Sequence, residues 1–140
     1  MTENRTSPRS GRPIVVGFSA SASSVDALRW ALAEARRQDA PVAVVHIHDR
    51  SDRADLPPGT VGAEDGAACR LINERALRCL DPDDEAAAVT IAHVRGDLAQ
   101  VLQEKASTAA MLVIGRVGDA RHHQLAERLR GQVSCPVVSV

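Results

Sequence analysis

The sequence predicts an α/β fold, a three-layer sandwich in which helices cover both faces of a five-stranded parallel sheet. Three observations predict it. Short apolar runs alternate with helical patterns in the order β-α-β-α-β-α-β-α-β, which builds parallel sheets through right-handed crossovers. The runs at 14–18, 42–47 and 111–114 are continuously apolar, the pattern of strands buried on both faces. The length of 140 residues fits one domain and allows burial of roughly two-thirds of the unfolded surface.

Residues 1–12 are polar and basic, lack the apolar core of a signal peptide, and read as a disordered tail before a domain spanning 13–140. The first strand is Pro13–Phe18, β-branched and followed by a serine-rich turn. From Ser24 onward Val25, Leu28, Leu32 and Ala35 recur at helical steps, with Ser23 or Ser24 as the N-cap. Pro41–His48 is the second strand. The connection from Asp49 to Ala63, rich in Asp, Pro and Gly, reads as a loop, either a lid or a plain surface segment.

A second helix is expected from about Glu64 to Leu80, burying Ala68, Leu71, Ile72 and Leu77, and then a charged turn from Asp81 to Glu85. Ala87–Val94 is the third strand. Asp97 caps a third helix that turns Leu98, Val101, Leu102 and Ala106 inward. Ala110–Gly115 is the fourth strand. A fourth helix buries Leu125, Leu129 and Val133, with Gly131 as its stop, and Pro136–Val140 is the fifth strand. Ligands of such folds sit beyond the carboxyl ends of the strands where strand order reverses, which here means near Phe18 and Gly115.

Composition removes several function classes. A net charge of -1 gives no general attraction to nucleic acid or anionic membrane. Phe18 and Trp30 are the only aromatics, too few for base stacking or for covering a flavin. No apolar run approaches the roughly 20 residues that span a bilayer, so a cytoplasmic location is expected. Cys69, Cys79 and Cys135 are odd in number, form no C-x-x-C pair, and read as free thiols in a reducing compartment. His46 and His48 share one strand face and in principle a metal, but no further ligand spacing completes a set, so each reads as a structural histidine. No metal is expected.

Particular residues resemble a known family. Ile14-Val15-Val16-Gly17 with the serine-rich turn and Ala27–Leu32, and Val44-Val45-His46-Ile47 on the second strand, look like the opening of universal stress proteins. Arg95-Gly96-Asp97, Leu112-Val113-Ile114-Gly115 with Gly118, and the ending Cys135-Pro136-Val137-Val138 continue the likeness over residues 13–140. The resemblance implies strand order 3-2-1-4-5, the adenine nucleotide α-hydrolase-like arrangement, and a homodimer through the last strand. Pro136–Val140, a short apolar strand at a sheet edge, agrees with such pairing.

ATP-binding members carry an Asp just after the first strand, and Ser19 stands there in this chain. Their phosphate loop reads Gly, two residues, Gly, nine residues, then Gly-Ser or Gly-Thr. Gly115 and Gly118 supply its first half, but the Gly-Ser position falls at about His123-Gln124, a loop shorter by about five residues. ATP binding is therefore expected to be weakened or lost, and no cofactor is required. The alternative is an adenine nucleotide sensor, for ATP, AMP or cyclic AMP, with a substitute phosphate site. It would draw on Ser19, Gly115, Arg116, Gly118, Arg121, His123 and Gln124, with His122 beside them at the start of the fourth helix. The leading expectation is a non-catalytic, regulatory or stress-response dimer acting on a protein partner not named by the sequence. A nucleotide α-hydrolase-like enzyme is a weaker reading, because Ser19–Ser24 lacks the glycines and acid of an ATP pyrophosphatase loop.

Overall fold

The computed structural model describes residues 11–49, 63–80, 89–115 and 120–140, with the side chains of 48, 49, 63–68 and 120–124 outside that description. The expected tail, most of the 49–63 loop and the 81–85 turn lie outside it. In chain order the elements are β1 (Ile14–Gly17), α1 (Ala22–Gln38), β2 (Val42–Asp49), α2 (Ala63–Leu77), β3 (Val89–Gly96), α3 (Leu98–Ala106), β4 (Met111–Ile114), α4 (Ala120–Arg130) and β5 (Val137–Ser139). The strands form one sheet in the order β3-β2-β1-β4-β5, every neighbouring pair parallel.

The unbroken apolar runs have the predicted cause. Ile14, Val15 and Val16 of central β1 are all essentially buried, and alternate residues enter opposite cores. Ile14, Val16, Val44 and Val113 pack against Ala27, Leu28, Ala31 and Leu32 of α1 and Ile72 and Ala76 of α2. Val15, Val45, Leu112 and Ile114 pack against Val101, Leu102 and Ala106 of α3 and Leu125, Ala126 and Leu129 of α4. Two cores on one sheet make the three layers.

Helix ends show where local chemistry was decisive. Asp97 is the N-cap of α3, its carboxylate accepting from the Gln100 N–H at 3.0 Å. On α1 the cap is Ser21 instead of Ser23 or Ser24. Its backbone is extended and its hydroxyl accepts from the Ser24 N–H, while Ser23 and Ser24 are already helical. Asp39 closes α1 in the left-handed conformation, donating its N–H to the Ala35 carbonyl.

The largest departure is α2. Leu71 and Leu77, expected inside, are 48% and 55% exposed, and the buried residues among its described side chains are Ile72 and Ala76. This helix buries a narrow stripe four residues apart, rotated from the stripe its leucines mark; Ala68 lies outside the described side chains. Leu98 is likewise 38% exposed, because it sits at the mouth of a cleft. The described part of β3 begins at Val89, and Ala87 and Ala88 of the expected strand lie outside the described residues.

Candidate functional site

A cleft opens beyond the carboxyl ends of β1 and β4, where the order of the strands reverses. Gly17, Phe18 and Ser19 leave β1 along one side, and Ile114 and Gly115 end β4 on the other. Val45 and Ile47 of β2, Leu98 and Leu102 of α3 and Leu125 of α4 complete the apolar wall, His46 of β2 adds an imidazole, and Ser21, Ser23 and Ser24 give a polar rim. Its volume is about 140 Å³. That is room for one ring system, below the roughly 300–1,000 Å³ of pockets that engulf a drug-sized ligand.

The turn after β1 is held by its own serines. Ser19 donates its backbone N–H to Ser24 Oγ at 3.2 Å and its hydroxyl to Ser21 Oγ at 3.1 Å. The Ser24 hydroxyl in turn donates to the Ser21 carbonyl at 3.0 Å, and Ser24 is only 4% exposed. Ser24 thus locks the turn, while Ser19 and Ser21 face solvent at the rim. Ala20 is held at φ 68°, a left-handed conformation that disfavours L-residues by about 1–2 kcal/mol and that sharpens the reversal from β1 into α1.

Of the predicted site residues, the cleft brings Ser19 and Gly115 together. Arg116 and Gly118 lie outside the described residues, and Arg121, His123 and Gln124 belong to the backbone of α4 with side chains outside the description. Sequence reasoning missed Leu98, Leu102 and Leu125 as cleft walls, since helical spacing marks a residue as inward without saying what it faces. Among the described lining residues none is an acid, Lys or Arg, and His46 is the sole titratable side chain.

Gly115 has a second role. A Cβ there would lie 2.8 Å from the Ser23 carbonyl carbon and 2.9 Å from its oxygen. The end of β4 and the first turn of α1 therefore approach too closely for any side chain. Burial pushes the Cys79 and Cys135 thiols up from their ordinary range, Cys79 against the opposing pull of Arg29. Both stay protonated, and poorly nucleophilic, at neutral pH.

Residues 11–140 match the model of the Universal stress protein family. The chain belongs to that family. A universal stress protein of Mycobacterium tuberculosis strain H37Rv is 28% identical over 137 residues, covering 95% of this chain and 50% of its own length. This chain thus spans about half the length of that relative. A universal stress protein of Archaeoglobus fulgidus, solved in complex with dAMP, is 26% identical with a TM-score of 0.64, covering 91% of this chain and 96% of that one. A third, solved in complex with cAMP, is 22% identical at a TM-score of 0.65, covering 93% and 96%, and shares the fold. Among the described residues no helix is long and apolar enough to cross a membrane.

Proposed function

We propose that this universal stress protein acts by binding and not by catalysis, as a cytoplasmic regulatory dimer that holds ATP weakly or not at all. The observation that carries this is the described wall of the cleft, which offers apolar surface and hydroxyls but no carboxylate, with Ser19 where ATP-binding members place an Asp. The Ser19 hydroxyl donates to Ser21 Oγ and the Ser24 hydroxyl to the Ser21 carbonyl, so both are engaged in holding the turn. The free cysteines suit a reducing compartment.

A smaller adenine nucleotide, a monophosphate or cyclic phosphate, is the second reading. It is favoured by the ring-sized cleft and by the Archaeoglobus relative's complex with dAMP. Arg116, Arg121, His122 and His123 would supply the phosphate partners. Calorimetric titration of ligand-free protein with ATP, ADP, AMP and cyclic AMP separates the two. Under either reading ATP binds no tighter than high micromolar, and micromolar ATP binding would sink the proposal. Ser19→Asp restores one charged acceptor, worth about 1.5–3 kcal/mol, and should tighten adenine nucleotide binding roughly 10- to 100-fold.

The dimer would form through β5. Leu112 donates to the Pro136 carbonyl and Val140 to the Ile114 carbonyl, so the ladder alternation turns the backbone groups of Val137 and Ser139 to the open edge. Arg130 donates to the Val137 carbonyl at 3.4 Å, so the open edge offers the Val137 N–H and, nearer the end of the strand, the Ser139 N–H as donors for a second copy. Ser139→Pro removes the latter donor without touching the β4–β5 ladder and should convert dimer to monomer in light scattering after gel filtration. An unchanged mass would exclude β5 as the interface.

A further inference from the structure

Leu98 is the first residue of α3, and the chain reaches it from β3 through Asp97 alone. β3 is held to β2 along its length, from Val42 opposite Val89 to Asp49 opposite Gly96. A hydrogen bond between the Nδ1 atoms of His46 and His93, at 3.3 Å, joins the two strands. His93 in turn donates from Nε2 to Asn73 Oδ1 of α2 at 2.8 Å, since a carboxamide oxygen only accepts. Beyond the junction the Asp97 carbonyl accepts from the Val101 N–H at 2.9 Å, beside the cap bond to Gln100. The start of α3 is therefore fixed against the sheet.

A helical side chain leans toward the helix N-terminus and covers the turn before its own Cα. Leu98 has no such turn before it, so its side chain projects past the helix end. Leu102, one turn further on, is 1% exposed at the floor of the cleft, whereas Leu98 is 38% exposed at its mouth. Among the described residues Trp30, Leu71, Leu77 and Leu98 are the exposed large hydrophobic side chains, and of these only Leu98 lines the cleft. Leu98 and Leu102, with Leu125 of α4, give the cleft an apolar track from mouth to floor.

We propose that Leu98 sets the ligand preference of the cleft, by covering the ring of a bound purine nucleoside or nucleotide. This rests on the second reading above, in which the cleft holds a small adenine nucleotide. A ring seated in a cleft of about 140 Å³ takes the Leu98 methyls out of water, a gain that grows with the apolar area covered. An aliphatic contact asks nothing of hydrogen-bond pattern or charge. Leu98 therefore rewards ring area, favours purines over the smaller pyrimidines, and contributes equally whether or not the ligand carries phosphate.

Calorimetric titration of the full chain with adenosine, AMP and cytidine tests this. Leu98→Ala should weaken adenosine and AMP by the same factor, roughly 5- to 20-fold, and shrink the preference for adenosine over cytidine. Leu98→Met keeps the apolar area and should stay within about twofold of the parent. Leu71→Ala removes a more exposed leucine, on α2 and outside the cleft, and should change nothing. Leu98 is partly exposed at a helix end, so its truncation should leave the melting temperature within about 5 °C of the parent.

Adenosine affinity within about twofold of the parent in Leu98→Ala, or a loss seen with AMP but not with adenosine, would overturn the inference and leave the second reading standing. A parent that binds none of the three up to millimolar concentration overturns that reading and the inference with it. Should Leu98→Ala fail to fold, methyl NMR of the parent decides alone. The Leu98 and Leu102 methyl signals both move on saturation with adenosine, or Leu98 does not touch the ring.

Discussion

Leu102→Ala should lower the melting temperature by roughly 6–20 °C, the largest loss expected from one change at the cleft. Leu102 is 1% exposed and packs among Val15, Val45, Leu112 and Ile114 beneath α3. Its two methyl carbons lie within 3.7–3.9 Å of the place a Cβ on Gly17 would occupy, so it also floors the cleft beside β1. Truncating a buried leucine to alanine costs about 2–5 kcal/mol, the spread depending on how far the hole collapses or fills. Here the vacated space joins an open cleft that water can enter, which favours the lower half of that range. Chemical denaturation at constant slope checks the value. A loss under about 1 kcal/mol would mean that Leu102 caps the cleft loosely and is not part of the packed core.

The parallel sheet was legible because buried parallel strands write themselves as unbroken apolar runs, and Ile14–Val16, Val42–Val45 and Met111–Ile114 do so, whereas the strand order was implied by the resemblance to universal stress proteins. Phe18–Ser19 and Gly115 follow from where that order reverses. The rotation of α2 was not legible. Leu71, Ile72, Ala76 and Leu77 permit two apolar stripes, and only the packing against α1 and the sheet selects Ile72 and Ala76. The α1 cap was ambiguous for a related reason, since Ser21, Ser23 and Ser24 can all accept from a backbone N–H and the dihedral angles choose among them. The His46–His93 pair was hidden more deeply. The two residues are 47 positions apart, and their meeting is set by the β2–β3 register, which no local pattern encodes. Sequence could pair His46 with His48 on one strand, but not with a neighbour across the sheet.

Gly115→Ala should cost about 1–3 kcal/mol, a fall of roughly 3–12 °C in melting temperature, although it adds one methyl group at the end of a strand. The reason is what that methyl would meet. Ser23 Oγ, 2.8 Å away, can rotate aside, but the Ser23 carbonyl carbon and oxygen at 2.8 and 2.9 Å cannot. Ser23 lies in the first turn of α1, which is tied down by the Ser21 cap and by the two hydrogen bonds of Ser24. Relief therefore requires α1 to move away from β4, which widens the cleft at its serine rim and should weaken any ligand held there. Gly17→Ala is the internal comparison, placed in the same cleft. Its added Cβ would meet only side-chain carbons of Ile114 and Leu102 at 3.6–3.9 Å, ordinary contact distances. The loss at position 17 should stay below about 1 kcal/mol, as for substitutions that neither clash nor open a cavity. Equal losses at 17 and 115 would assign the effect to the glycine backbone in general. A loss confined to 115 would establish the contact between β4 and α1 as the feature that holds the cleft in shape, and would separate this packing role of Gly115 from any part its N–H plays toward a phosphate.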